Sequence, residues 1–107
     1  LRTVSKFTMK FIVTSKHEGV SSALREYAER RVAEIEHFGT EFEKTEIVID
    51  IERHETICEI VLYPRRGEPF VATDRADQGR AAVDKAAAKV EKQFLKLKQK
   101  LADKRRP

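Results

Sequence analysis

Five lysines, Lys85, Lys89, Lys92, Lys96 and Lys100, recur at steps of four, three, four and four residues near the end of this 107-residue chain. On a helix turning ~100° per residue they fall within an arc of roughly 80°. No acid of that segment shares the arc; Asp84 and Glu91 lie on its flank, where they can pair with neighbours. Lys98 lies off the stripe, toward the opposite side. Ammonium groups so spaced can neutralise successive phosphates and release the counterions those phosphates held. Without an anionic partner, neighbouring lysines repel by a few tenths of a kcal/mol, about what a Glu–Lys pair in their place would contribute. A helix made only to be soluble normally mixes signs for that reason. The stripe therefore favours a polyanion-binding face over a solvated one. Nucleic acid fits it best, read by shape and phosphate more than by base sequence.

Other chemistry finds no constellation. His17, His37 and His54 are scattered, and none stands at metal-ligand spacing with another His or Cys. The acids form no pattern for general acid–base work, and four glycines make neither a phosphate loop nor a dinucleotide fingerprint. A protein that is not an enzyme, with no metal, cofactor or small-molecule substrate, is expected. The lone Cys58 cannot form an internal disulfide; with Ile57 and Ile60 beside it, it reads as a buried thiol in a cytoplasmic protein. No apolar run approaches the ~20 residues of a membrane span, and no signal peptide is visible. A membrane-surface helix is disfavoured because the apolar side of the lysine-bearing segment is needed against a sheet.

The charge is unevenly placed. The net value is +4, yet residues 76–107 carry ten Lys/Arg against four acids, while residues 1–75 carry twelve against fourteen. Segregation of this kind is the sequence footprint of a polyanion-binding face.

The elements that must carry the stripe are those of one small domain. Leu1–Thr8 precede a natural-looking start at Met9 and read as an N-terminal extension, residues 9–102 as the domain, and residues 103–107 as a basic tail. Lys10–Ser15 predicts a strand. A helix follows from Ser21 or Ser22 as N-cap, with Val20, Leu24, Tyr27, Ala28, Ile35 and Phe38 as its apolar stripe and Gly39 as its stop. Residues 40–44 read as a loop. Thr45–Arg53 alternates Ile47, Ile49 and Ile51 against Glu46, Asp50 and Glu52, the pattern of a half-buried strand. Glu55–Tyr63 predicts a strand of weaker alternation, Pro64–Gly67 a turn, and Pro69–Thr73 a short last strand. Asp74 or Asp77 is the expected cap of a final helix reaching about Ala102, with Val83, Ala87, Val90, Phe94, Leu97 and Leu101 as its core seam. Phe11 is then a core aromatic, since this order is not that of an RNA-recognition motif. The order β-α-β-β-β-α implies an α+β two-layer sandwich: four strands, the first two joined by a right-handed crossover, with both helices on one face.

Five segments in order resemble the ribosome hibernation-promoting factors and related ribosome-associated inhibitor proteins, a family formerly labelled sigma-54 modulation proteins. They are Val13-Thr14-Ser15-Lys16, Ala23-Leu24-Arg25-Glu26-Tyr27, Ile51-Glu52-Arg53-His54, Ala81-Ala82-Val83-Asp84, and Lys89-Val90-Glu91-Lys92-Gln93-Phe94-Leu95-Lys96. The resemblance implies a fold akin to a double-stranded-RNA-binding domain with an added first strand. It implies binding to the small ribosomal subunit in the channel for messenger and transfer RNA, where ribosomal RNA is met and translation stops under stress or in stationary phase. Matched to the family's basic positions, Lys89, Lys92 and Lys96 are the expected principal RNA contacts, supported by Lys85, Lys100, Arg25, Arg31 and Lys16. Gln78-Gly79-Arg80 stand where members usually carry Asp-Met-Tyr, so an aromatic is lost and Arg80 adds a charge. Glu34 and His37 replace common lysines, which shifts the RNA-facing burden to the last helix. The ending soon after that helix implies a short form, without the dimerisation domain of long members or the acidic tail of some inhibitors. A general double-stranded-RNA-binding module and a protein-interaction domain are the alternatives.

Overall fold

A computed structural model describes residues 10–35 and 42–104 of the chain. The extension 1–8, His37, Phe38 and Gly39 of the expected helix end, and all but Lys104 of the basic tail's basic residues lie outside them. The elements run β1 (Lys10–Ser15), α1 (Ser22–Ala33), β2 (Phe42–Glu52), β3 (Glu55–Pro64), β4 (Phe70–Ala76) and α2 (Gly79–Lys104). The strands form one mixed sheet in the order β1-β2-β3-β4, with β1 parallel to β2 and the other neighbours antiparallel. This is the expected α+β architecture.

Alternation decides which side of the sheet is covered. Thr45, Ile47 and Ile49 of β2, Thr56, Cys58, Ile60 and Leu62 of β3 and Ala72 of β4 are buried on one face. Against them pack Ala28 and Val32 of α1, Ile35 just beyond it, and Ala82, Val83, Ala86, Ala87 and Val90 of α2. The β3 alternation, weak by residue type, is complete in burial. Alanines at 82, 86 and 87 let α2 lie close on the sheet, and the larger aliphatics of β2 and β3 fill the space between. The opposite sheet face mixes signs: Lys44 pairs with Glu46, and Arg75 with both Glu52 and Glu55.

Ser21 caps α1, its hydroxyl oxygen accepting from the Leu24 N–H at 3.1 Å. The β2–β3 hairpin closes with two residues, Arg53 (φ 48°) and His54 (φ 72°), both left-handed and neither glycine. A two-residue turn of this hand matches the twist of the strands it joins. The 64–67 turn instead uses Gly67 at φ 92°.

Several boundaries differ from those read in the sequence. β2 begins at Phe42 rather than Thr45, because Phe42 is buried in an aromatic cluster with Phe70 and Phe94, its ring centroids 6.1 and 4.9 Å from theirs. β4 runs on to Ala76, which pairs with Thr56. Asp74 is therefore a strand residue and caps nothing. Gln78 takes the cap position instead, its carbonyl accepting from the Ala82 N–H at 3.1 Å. Leu97 is not core: it is 43% exposed. The cluster of Phe42, Phe70 and Phe94 closes one end of the sheet, and α2 continues past it from Leu95 to Lys104. Among the described residues, the apolar side of α2 meets the sheet only as far as Phe94; the Leu101 side chain, expected in the same seam, lies outside them.

Candidate nucleic-acid interface

α2 presents two rows to the outside, and the structure separates them. The first is Lys85, Lys89 and Gln93. Their side chains donate to the carbonyls of Arg75 (3.1 Å), Thr73 (3.2 Å) and Val71 (2.8 Å) in turn. Four residues of helix rise ~6.0 Å and two of strand rise ~6.6 to 6.8 Å, so three successive side chains can meet three successive carbonyls. These carbonyls lie on the edge of β4 that pairs with no strand, and the helix seals it.

Asp74 completes this row. Its carboxylate lies 3.7 Å from Lys85 Nζ and 3.1 Å from Lys89 Nζ. The Arg75 N–H donated to it, then Lys89, hold its pKa below the usual aspartate value. The acid missing from the lysine arc between Lys85 and Lys100 is thus delivered by β4. Lys85 and Lys89, expected as RNA contacts, already have an anionic partner.

The second row is Lys92, Lys96 and Lys100. All three are exposed, and among the described residues none makes an ion pair or hydrogen bond. Lys98, read as lying toward the core side, reaches the Phe94 ring at 5.9 Å.

The remaining cations divide similarly. Arg31 is largely enclosed and faces acids on both helices: Asp84 at 3.6 Å, Glu34 at 3.8 Å and Glu91 at 4.0 Å. Tyr27 donates its hydroxyl to Asp84 at 2.6 Å, which raises the Tyr27 pKa. Arg80 lies over the Tyr27 ring at 5.0 Å. Arg31 and Arg80 therefore belong to the seam between α1 and α2. Arg25 is exposed on α1 beside Val13, Ser22, Glu26 and Glu29. Lys16 follows β1, its N–H bonded to the Ile49 carbonyl at 2.9 Å and its side chain exposed. At Gly79 an added Cβ would come within 2.6 Å of Leu24 Cδ2 on α1, so that methyl would have to move aside.

Sequence reasoning missed Asp74 and Gln93 as partners in the edge seal, and the exposure of Leu97. The spacing match between 85/89/93 and 75/73/71 is present in the sequence but has meaning only once α2 is known to lie along β4. Among the described residues no group of three or more His, Cys, Asp or Glu is placed to hold a metal ion. No helix among them is long and apolar enough to cross a membrane.

In sequence and in fold the chain resembles known proteins. The model of the family described as sigma 54 modulation protein / S30EA ribosomal protein matches residues 11–102. A ribosomal subunit interface protein from Coxiella burnetii superposes with a TM-score of 0.77 at 25% identity, over 85% of this chain and 99% of that one. The N-terminal domain of Protein Y from Thermus thermophilus superposes with a TM-score of 0.70 at 19% identity, over 79% of this chain and 94% of that one, and shows the fold. No curated protein matches the sequence.

Proposed function

Since the chain belongs to the sigma 54 modulation protein / S30EA ribosomal protein family, we propose that it is a ribosome-binding factor that acts by occupying a site. Its place is the small subunit, in the channel for messenger and transfer RNA, where it meets ribosomal RNA and stops translation under stress or in stationary phase. Residues 9–102 are the ribosome-binding unit, working in the cytoplasm without catalysis. One observation carries this reading: Lys92, Lys96 and Lys100 form an exposed ridge with no internal partner among the described residues, while the sheet face opposite is acidic on balance, with Glu46, Asp50, Glu52, Glu55 and Glu59 beside Lys44 and Arg75. An unpaired row of cations gains most from phosphates, which remove its self-repulsion and give up counterions.

The test is sedimentation with small ribosomal subunits at low salt. Co-sedimentation that is lost on changing Lys92, Lys96 and Lys100 together to Glu supports the reading; no co-sedimentation of the unaltered protein overturns it. Competition with free duplex RNA separates this from a general duplex-binding module, which would bind both alike.

A further inference from the structure

Beside the lysine ridge, where α2 passes the end of the sheet, lies a cavity of about 610 Å³ lined by Phe70, Gln93, Lys96, Leu97, Gln99 and Lys100. It is broadly open to solvent, a groove and not an enclosed chamber. Its surface joins three chemistries. Phe70 and the exposed Leu97 supply an apolar floor. Gln93 donates its amide N–H to the Val71 carbonyl at 2.8 Å, which orients the side chain and leaves Oε1 as an acceptor; Gln99 adds a second amide. Lys96 and Lys100 stand on the rim, and no acid is among the described residues that line the cavity.

We propose that this cavity receives one unstacked nucleobase of the bound RNA, with the neighbouring phosphates held by Lys96 and Lys100. The proposal rests on the RNA-binding reading above and deepens it. Lysines four residues apart on a helix are ~6 Å apart along its axis, more than the ~3.4 Å axial step of a stacked strand, as suits a strand stretched where one base has left the stack. A base extruded between such phosphates reaches an apolar floor that shields its faces and amides that meet its edge. An acidic peptide would satisfy the rim as well, but it needs neither the repeated phosphate spacing nor an oriented amide.

The experiment uses small ribosomal subunits. Cys58 is fully buried, so in Leu97→Cys the new thiol is the accessible one and can carry a photo-crosslinker. A crosslink to one ribosomal RNA nucleotide is expected. That base should be protected from base-specific modification by the unaltered protein. It should become reactive with Leu97→Arg, which fills the cavity and leaves Lys96 and Lys100 in place, while the backbone footprint persists. Leu97→Ala, which only removes the floor, should weaken binding about five- to a hundredfold. A crosslink to a ribosomal protein overturns the proposal. So does a backbone footprint with no base whose protection depends on residue 97, and that result leaves the RNA-binding reading standing. Absence of any footprint overturns both.

Discussion

Lys89 Nζ lies 3.1 Å from Asp74 Oδ2 and 3.2 Å from the Thr73 carbonyl oxygen, so one ammonium group ties α2 to the free edge of β4. The contact gives Lys89 a structural task that its neighbours on the ridge do not have. Lys89→Glu would set a carboxylate against Asp74 and leave the Thr73 carbonyl without its donor. It is expected to lower the melting temperature, whereas Lys92→Glu is expected to leave it within a degree or two while weakening ribosome binding. Thermal denaturation beside sedimentation separates the two; equal melting of both variants would refute the division of the stripe.

Acid should loosen the same contact. The Arg75 N–H and Lys89 hold the Asp74 pKa below its ordinary value. A carboxylate whose pKa is lower folded than unfolded adds stability above the unfolded value, and this is lost as pH falls through the folded one. The stability gap between the unaltered protein and Asp74→Asn is therefore expected to be full near neutrality and to close below about pH 4. Denaturant melts at several pH values would measure it, and a gap independent of pH would contradict it.

Salt reports the number of phosphates held. If Lys92, Lys96 and Lys100 each neutralise one, log K against log salt should fall with a slope of about −2 to −3, and each Lys→Ala change should flatten it by ~0.7 to 0.9. Lys85→Ala, whose ammonium is given to Asp74 and the Arg75 carbonyl, should flatten it less. A flat response in the unaltered protein would point to a protein partner instead.

Cys58 is fully buried, and burial pushes its thiol up to about 12. It is expected to resist thiol reagents at neutral pH until the protein unfolds, then to react at an ordinary rate. Rapid labelling of the native protein would show that β3 opens on the time scale of the assay.

The hairpin tip offers a gain. His54 holds φ 72° without being glycine, a conformation that costs other residues of order 1 kcal/mol. His54→Gly should stabilise the fold by a few tenths to about 1 kcal/mol, after the extra freedom of glycine in the unfolded chain is offset. Chemical denaturation would measure it, and a loss of stability would mean that the imidazole makes a compensating contact.

Local pattern was enough for the architecture. The two-residue alternation of β2, the Ser21 cap and the helical seam of Val83, Ala87 and Val90 each depend on neighbours in sequence, and each is found where the residues imply. So are the stripe itself and the pairing of Asp84 and Glu91 off its flank. What the sequence could not decide was which lysines of the stripe are already satisfied. Asp74 meets Lys85 and Lys89 only because β4 lies along α2, and a helical wheel contains one helix and no strand. The same holds for Leu97: its place in the apolar seam is a property of α2, but its exposure depends on where the sheet stops. Periodicity assigns a side chain to a face; only the tertiary fold decides whether anything covers that face.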